Sequence, residues 1–331
     1  MSHIAVFGAG SWGTAFASIL ADGGNDVRVW GRRPELVEQL NRGVNDDYLP
    51  GVQLPGGISA STDPAEVTEG AEIVILSVPS QSLRTNLTEW APLLTDKIVV
   101  SLMKGIELGT TKRMSEVIHE VAGVPADRIG VVSGPNLARE IVQRQPAATV
   151  VACPDVSAAD RVAAACSTSY FRPYTSHDVV GAELGGAVKN VIALAVGMAA
   201  GLGFGDNTKA TLITRGLAET TRLAMALGAD PRTMAGLAGV GDLIATCMSP
   251  LSRNHSFGVK LGEGLSVAEV TEQTKQTAEG VKSCASILDL ARAHGVDVPI
   301  TEMVNRVVHE GFAPADMVDV LLARARKHET E

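Results

Sequence analysis

The sequence predicts an α/β doubly wound sheet in the first half of the chain, followed by an all-α C-terminal domain. Apolar runs that suit buried strands alternate with helical patterns up to about residue 176, and beyond residue 177 only helical patterns continue. Glycines also cluster at the turn after the first apolar run. Continuous apolar strands separated by helices are typical of a parallel sheet that helices cover on both faces.

Five apolar runs predict the central strands, and two weaker runs are expected to extend the sheet. The five runs are residues 3–7, 26–30, 72–78, 97–103 and 129–133, and the weaker ones are residues 147–153 and 170–174. Helical patterns cover residues 12–22, 34–42, 80–94 and 110–121. Because a helix separates most successive strands, these strands are expected to run parallel.

A length of 331 residues suits two domains. We place the first at residues 1–176 and the helical one at residues 177–331. No long linker separates them, so they are expected to pack closely around a shared helix. The most apolar stretch, residues 191–205, is shorter than the roughly 20 residues that cross a bilayer. It therefore predicts a buried core helix and no integral membrane segment.

Composition disfavours several classes of protein. The net charge is −9, whereas a broad nucleic-acid surface needs a basic excess. The four cysteines form no CxxC pair, which disfavours a zinc site or a disulfide framework and fits a reducing cytoplasm. The first residues enter a strand directly, without the basic and apolar regions of a signal peptide. We expect a cytoplasmic protein without a metal and without a nucleic-acid partner.

The turn after the first strand predicts a dinucleotide site on a Rossmann-type sheet. Gly8, Gly10 and Gly13 form GxGxxG between a strand and a helix. The first glycine permits the tight turn, the second lets a pyrophosphate approach the backbone, and the third lets the helix pack close to the strand. The free N–H groups at the helix N-terminus then face the phosphates.

The end of the second strand indicates which nicotinamide cofactor binds. An NAD-specific site usually has an acidic residue there for the ribose 2′-hydroxyl. This chain instead has Arg32 and Arg33, and guanidinium groups match the geometry of a 2′-phosphate. We expect NADP(H) to bind at least as well as NAD(H). The alternative is two solvated surface arginines.

The carboxyl ends of later strands carry further candidate residues, because ligands of open parallel sheets bind there. The third central run is followed by Val78-Pro79-Ser80-Gln81, the fourth by Lys104-Gly105 and the fifth by Ser133-Gly134-Pro135-Asn136. The amine of Lys104 is expected to lie in the crevice. Gly134 and the helix start behind it are expected to expose backbone donors.

The helix predicted at residues 181–201 carries Lys189 on an apolar face. Its neighbours one or two turns away are mostly small: Ala182, Gly185, Gly186 and Ala193. We expect an apolar slot around the amine and the Asn190 amide. Burial there would lower the pKa of Lys189 and suit it to proton transfer near neutral pH. The alternative is a lysine that extends to solvent from the helix edge.

Two later segments suggest a site for an anion. Asp242 is the expected N-cap of a helix, with Thr246 one turn along the same face. Ser252, Arg253 and Asn254 supply a hydroxyl, a guanidinium and an amide, which together suit a phosphate monoester. Taken alone, however, that triplet predicts a solvated loop. Residues 278–281 predict a helix start or a turn, to which the residues alone assign no role.

Together these motifs resemble the bacterial NAD(P)-dependent sn-glycerol-3-phosphate dehydrogenases. The matching segments are GAGSWGTA from Gly8, VPSQ from Val78, KGIE from Lys104, SGP from Ser133, ELGGAVKNVIALAVG from Glu183, GVGDLIATC from Gly239, SRN from Ser252 and AEGV from Ala278. The resemblance implies reversible hydride transfer between dihydroxyacetone phosphate and sn-glycerol 3-phosphate. It also implies a homodimer that feeds glycerophospholipid synthesis.

The resemblance assigns residue roles as well. Lys189 is expected to be the general acid/base, with Lys104 and Asp242 completing the catalytic network. Substrate contacts are expected at Lys104, Gly134, Asn136, Lys189, Asp242, Ser252, Arg253 and Asn254. Cofactor contacts beyond the three glycines are expected at Ser11, Trp12, Arg32, Arg33, Tyr48, Lys104, Ala138, Arg253 and Glu279. Many relatives carry Ser or Thr where this chain has Asn136.

Two alternatives remain open on the residues alone. β-Hydroxyacid dehydrogenases and ketopantoate-type reductases share the two-domain plan and a lysine-asparagine helix, but they act on carboxylates. Arginine binds either anion, although the 239–242 and 252–254 segments favour a phosphate. A non-catalytic dinucleotide-sensing regulator would need the glycine turn but not Lys189 in a slot of small residues.

Overall fold

The computed structural model describes residues 2–274, 278–325 and 328 of the chain. One eight-stranded sheet has the order β3-β2-β1-β4-β5-β6-β7-β8. The strands are β1 His3–Phe7, β2 Asp26–Trp30, β3 Ile58–Ser61, β4 Ile73–Leu76, β5 Ile98–Ser101, β6 Ile129–Ser133, β7 Ala147–Ala152 and β8 Phe171–Ser176. All neighbouring strands pair in parallel except β6 and β7, which are antiparallel. The expected parallel sheet and both extending strands are therefore confirmed.

Sixteen α-helices accompany the sheet in the described part of the chain. They are α1 Ser11–Asp22, α2 Pro34–Asn41, α3 Pro64–Thr68, α4 Leu83–Trp90, α5 Met114–Ala122, α6 Ala138–Val142, α7 Val156–Cys166, α8 Val179–Gly201, α9 Asp206–Ala226, α10 Pro231–Met234, α11 Asp242–Met248, α12 Arg253–Gly262, α13 Val267–Gln273, α14 Glu279–Ala293, α15 Pro299–Glu310 and α16 Pro314–Leu322. Every residue of β4 and β5 is buried, because apolar clusters cover both faces of the sheet.

Three differences from the expected elements have local causes. Strand β3 lies at the sheet edge and has the sequence ISAS. It contains no apolar run from which a strand could be predicted. The helix expected from residue 110 begins at Met114, because an isolated bridge between Ile106 and Arg113 holds the preceding segment as a loop. The pattern at 80–94 forms α4 between two short 3₁₀ turns.

Helix α8 is the centre of the helical half. It packs against α9, α11, α12, α14 and strand β6, and most of its residues are buried on all sides. It is long and apolar enough to cross a membrane, but 94% of its most apolar window is buried inside the protein. The expected core helix is therefore confirmed. The change from strands to helices falls between β8 and α8, and the division at residue 176 stays a prediction.

Glycines in α8 permit a close helix contact rather than leaving a gap. A Cβ atom on Gly197 would lie 3.0 Å from the Cα of Gly258 in α12, and a Cβ on Gly201 would lie 3.0 Å from the Cα of Gly262. Glycine inside a helix costs roughly 1 kcal/mol against alanine. Here the tight contact with α12 offsets that cost, and it brings the start of α12 towards Lys189.

Candidate active site

The glycine turn has the geometry that its sequence predicts. Gly8 has φ +123°, and a Cβ there would lie 2.3 Å from the Ser77 carbonyl oxygen. A Cβ on Gly13 would lie 2.0 Å from the Gly8 carbonyl oxygen, whereas a Cβ on Gly10 would meet no atom within 4 Å. Gly8 and Gly13 are thus required by the fold, and Gly10 borders open space at the position where a pyrophosphate is expected.

The start of α1 fits an anionic ligand. Gly10 is its N-cap, and no side chain among the described residues caps it, so the first backbone N–H groups stay available. The indole N–H of Trp12 in the first turn is buried and finds no hydrogen-bond acceptor among the residues that the structure describes. The buried Asn45 amide, which the sequence analysis missed, donates to the Ala9 carbonyl at 3.1 Å and to the Thr14 hydroxyl at 2.8 Å. Asn45 therefore stabilises the glycine turn. The uncapped start of α1 and the open space at Gly10 fit a dinucleotide.

The two arginines after β2 lie at the surface. Both are exposed, but Arg33 donates to the Asp47 carboxylate at 2.7 Å and lies 5.9 Å from the Tyr48 ring centroid. The hydrogen bond to Asp47 raises the pKa of Arg33. The Ser11 hydroxyl donates to the Tyr48 carbonyl at 3.4 Å. Arg33, Tyr48 and Ser11 thus lie in one group beside the glycine turn.

Asp242 joins the two candidate lysines. Lys104, just beyond β5, donates to its Oδ2 at 2.6 Å, and Lys189 from α8 donates to its Oδ1. Lys189 also donates to the Thr246 hydroxyl at 2.6 Å, one turn further along α11. Lys189 is 7% exposed and Asp242 is 1% exposed. If both lysines are protonated, the three groups carry a net positive charge, which favours an anionic ligand.

The expectation that Asp242 caps a helix is wrong. The N-cap of α11 is Gly241, preceded by a π-helical turn over Leu237–Gly241, and Asp242 is the first helical residue. Its two carboxylate oxygens accept from Lys189 and Lys104 instead of from backbone N–H groups. Charge-assisted hydrogen bonds are roughly twice as strong as neutral ones, and a buried carboxylate needs such partners.

Burial lowers the pKa of Lys189 to about 7, as the sequence analysis expected. Asp242 opposes this shift because its negative charge favours the ammonium, and Lys104 adds to it through like-charge repulsion. A pKa near neutrality is the property that a lysine needs to donate and accept protons at physiological pH. The alternative of a lysine reaching solvent is therefore wrong.

A chain of amides links α8 to the other candidate segments. The Asn190 amide donates to the Lys104 carbonyl at 3.2 Å and accepts from the Asn254 amide at 2.9 Å. Asn254 in turn accepts from the Gly280 N–H at 2.9 Å. The Ser252 hydroxyl accepts from the His255 N–H and caps α12. Ser252 and Asn254 are buried, whereas Arg253 is exposed. The triplet forms the start of α12, so the loop that it predicts alone is wrong, although Arg253 is solvated.

Arg253 and Glu279 lie near the cofactor candidates. Desolvation lowers the pKa of Arg253, while the nearby Glu279 and Tyr48 act in the opposite direction. Glu279 starts α14, which confirms the helix start expected at residues 278–281. Its carboxylate accepts from the Ser80 hydroxyl at 2.8 Å, at the end of β4. Ser80, which was given no role from the sequence, thus positions this carboxylate.

The segment after β6 faces Lys104. The Gly134 carbonyl accepts from the Lys104 ammonium at 3.2 Å. The Asn136 amide donates to the Thr149 hydroxyl at 3.0 Å, while its side-chain carbonyl oxygen is buried and has no hydrogen-bond partner in the described part of the chain. Ala138 is the half-buried first residue of α6.

Thr246 is the main omission from the expected catalytic set. Its spacing of four residues from Asp242 was visible, and that spacing places both side chains on one face of α11. Its bond to Lys189 depends on α8 and α11 packing together, so no local signal could reveal it.

Comparisons with known proteins identify the family of the chain. The family model described as the NAD-dependent glycerol-3-phosphate dehydrogenase N-terminus matches residues 3–159, and the C-terminal model matches residues 178–319. A glycerol-3-phosphate dehydrogenase [NAD(P)+] of Streptomyces griseus is 65% identical over 98% of this chain and 97% of its own. One from Thermobifida fusca is 60% identical over 99% of each chain.

A solved structure supports the same assignment. The crystal structure of glycerol-3-phosphate dehydrogenase from Coxiella burnetii is 37% identical, covers 98% of this chain and 99% of its own, and superposes with a TM-score of 0.93. Both halves of the chain match one family, and the glycine turn and the lysine pair lie in the matched regions. The chain therefore belongs to the NAD-dependent glycerol-3-phosphate dehydrogenase family.

Proposed function

We propose that this chain catalyses reversible hydride transfer between dihydroxyacetone phosphate and sn-glycerol 3-phosphate, using NADP(H) or NAD(H). The observation that carries the proposal is the buried Lys189, whose pKa near 7 suits proton exchange with a substrate oxygen. Family membership supplies the reaction class. The nearby cations supply a reason for a phosphorylated substrate.

The proposed proton transfer uses groups of this chain. A nicotinamide held beside the glycine turn would supply a hydride to the ketone carbon of dihydroxyacetone phosphate or, in the reverse direction, take one from the secondary alcohol carbon of sn-glycerol 3-phosphate. Lys189 donates its proton to the carbonyl oxygen as negative charge develops there, which is general acid catalysis. Lys104 stabilises the same charge as a second cation. Asp242 holds both ammonium groups at one point through its two oxygens. In the reverse direction, neutral Lys189 takes the proton back.

The phosphate is proposed to bind at the start of α12. This helix begins at Arg253, and its N-terminal N–H groups favour an anion. Asn254 lies one hydrogen bond from Asn190, the residue after Lys189, so the phosphate and the reacting carbonyl occupy adjoining positions. Gly134 and Asn136 are proposed to contact the remaining hydroxyl. Binding energy from the phosphate then holds the ketone against Lys189.

The cofactor is proposed to lie across the glycine turn. The N–H groups at Ser11 and Trp12 would hold the pyrophosphate, and Arg32 and Arg33 with Tyr48 would receive the 2′-phosphate of NADP(H). Ala138, Arg253, Lys104 and Glu279 complete the proposed contacts. The open space at Gly10 supports this placement.

The alternatives from the sequence have less support. The family models for both halves are those of glycerol-3-phosphate dehydrogenases, which disfavours a β-hydroxyacid dehydrogenase or a ketopantoate-type reductase. A dinucleotide-sensing regulator has no need of the buried pair formed by Lys189 and Asp242. The discriminating experiment follows NADPH oxidation by absorbance with dihydroxyacetone phosphate and then with ketopantoate. Activity with ketopantoate alone would overturn the proposed function.

We also propose a cytoplasmic homodimer whose product enters glycerophospholipid synthesis. The family resemblance supports the cytoplasmic location and the homodimer. It also supports the use of the product, since glycerol 3-phosphate is the backbone from which glycerophospholipids are built. Light scattering after size exclusion measures the dimer directly. A monomeric mass at the protein concentrations used for assay would contradict it.

A further inference from the structure

We propose that Glu183 is a positioning residue that sets how closely Lys104 approaches Asp242. The proposal rests on the proposed function, because its kinetic consequences concern dihydroxyacetone phosphate. Glu183 lies on α8 six residues before Lys189, about 9 Å along the helix axis. It touches neither Lys189 nor Asp242, and the mechanism above leaves it without a role.

The Glu183 carboxylate accepts hydrogen bonds from residues at the start of α5. It accepts from the Ser115 N–H at 2.8 Å, from the Ser115 hydroxyl at 2.6 Å and from the Arg113 guanidinium at 2.7 Å. It is 4% exposed. Burial raises the pKa of Glu183, and Arg113 and Ser115 oppose that shift by stabilising the carboxylate. A buried carboxylate with this many donors has one well-defined position.

Arg113 closes the loop that carries Lys104. The segment from Lys104 to Arg113 leaves β5 and returns to α5, and a backbone bridge joins Ile106 to Arg113. Glu183 holds the far end of this loop through Arg113. Asn190, on the same helix, holds the near end by donating to the Lys104 carbonyl at 3.2 Å. Helix α8 therefore contacts the loop through two side chains, Glu183 and Asn190, which are seven residues apart along the helix.

Between Glu183 and Asn190, α8 contains Gly186. A Cβ on Gly186 would lie 3.4 Å from the Cγ of Lys104, so the lysine stem passes close to the helix backbone. In this proposal, the Lys104 ammonium reaches Asp242 only while the loop from Lys104 to Arg113 stays this close to α8. Because Lys104 lowers the pKa of Lys189 by like-charge repulsion, a displaced loop would also change the protonation of Lys189.

The test compares Glu183→Gln with Glu219→Gln. Glu219 is a matched control because it is also buried and also caps a helix, accepting from the Ile300 N–H, the Thr301 N–H and the Thr301 hydroxyl at 2.8, 3.0 and 2.5 Å. Its hydrogen bonds go to the start of α15 and not to Lys104, Lys189 or Asp242. Both substitutions replace a buried carboxyl group with an amide of the same size, so general destabilisation affects both variants.

We expect Glu183→Gln to lower kcat/KM for dihydroxyacetone phosphate by about 10- to 100-fold, as misplacement of a binding group does. NADPH affinity should change far less. The alkaline limb of the pH profile of kcat/KM should move to higher pH, because Lys104 would repel the Lys189 ammonium less. Glu219→Gln should keep the parental limb. Ser115→Ala, which removes one donor to Glu183, replaces Glu183→Gln if that variant does not fold.

Parental kcat/KM and an unshifted limb in Glu183→Gln would overturn the proposal, as would equal shifts in both variants. Activity of the parent protein with dihydroxyacetone phosphate is measured first, and its absence would refute the proposed function instead. In that case a ¹⁵N NMR titration of Lys189 in the parent and in Glu183→Gln decides on Glu183. A higher pKa of Lys189 in the variant supports the proposal, and an unchanged pKa refutes it.

Discussion

The ammonium of Lys104 and the carboxylate of Asp242 lie 2.6 Å apart, although 138 residues separate them in the chain. The other oxygen of the same carboxylate accepts from Lys189, 53 residues before Asp242. One acidic side chain therefore holds two cations at the junction of the sheet and the helical half.

Replacing Lys189 with methionine should lower kcat for dihydroxyacetone phosphate reduction by about 10²- to 10⁴-fold, the usual contribution of a general acid. The variant keeps an aliphatic side chain of similar length, and Asp242 keeps Lys104 as its partner. The folded state should therefore survive. NADPH oxidation followed by absorbance measures the loss, and circular dichroism checks the fold. Near-parental turnover in a folded variant would refute the role of Lys189.

The two reaction directions should depend on pH with opposite signs. The pKa of Lys189 is lowered to about 7 by burial, and ketone reduction needs its protonated form. kcat/KM for reduction should therefore fall as pH rises through about 7, whereas kcat/KM for glycerol 3-phosphate oxidation should rise. The buried Cys247 thiol has a pKa raised to about 12, so it stays neutral in this range. Limbs of the same sign in both directions would exclude Lys189 as their source.

Replacing Arg32 and Arg33 together with alanine should weaken NADPH binding more than NADH binding. Hydrogen bonds to a charged group contribute about 1.5–3 kcal/mol each, so the double variant should lose at least about 10-fold in NADPH affinity. Fluorescence titration with both cofactors measures the change. Arg42→Ala is the matched control, since Arg42 is an exposed arginine at the opposite end of α2. Unchanged NADPH affinity in the double variant would mean that neither arginine binds the 2′-phosphate.

Gly258→Ala should destabilise the protein by about 1–3 kcal/mol, the range for overpacked cores. The new Cβ would lie 2.3 Å from the Leu194 carbonyl oxygen and 3.0 Å from the Gly197 Cα, so α8 and α12 would have to separate. The midpoint of thermal unfolding measures the effect. Gly56→Ala is the control, because a Cβ there meets no atom within 4 Å and its φ is not positive. A Gly258→Ala midpoint equal to that of the control would show that the contact tolerates a methyl group.

Several elements were predictable because their causes are local. The runs at residues 3–7, 26–30 and 129–133 match β1, β2 and β6 residue for residue. Strands β1 and β6 are buried almost throughout and read as apolar runs, whereas in β2 only the alternate residues Val27 and Val29 are buried. Edge strand β3, with its sequence ISAS, has no apolar run and was missed. The antiparallel pairing of β7 with β6 was also not foreseen, because pairing direction depends on where the chain returns.

The sequence by itself determined the glycine turn, the nearly continuous apolar strands and the lysine among small residues on one long helix. Each of these follows from neighbours within a few positions, where backbone sterics and side-chain periodicity act. Only the tertiary structure decided that Asp242 binds two lysines rather than capping its helix, and that Thr246 accepts from Lys189. The physical reason is that a buried charge pairs with the opposite charge that packing brings to it, and packing joins residues far apart in the chain.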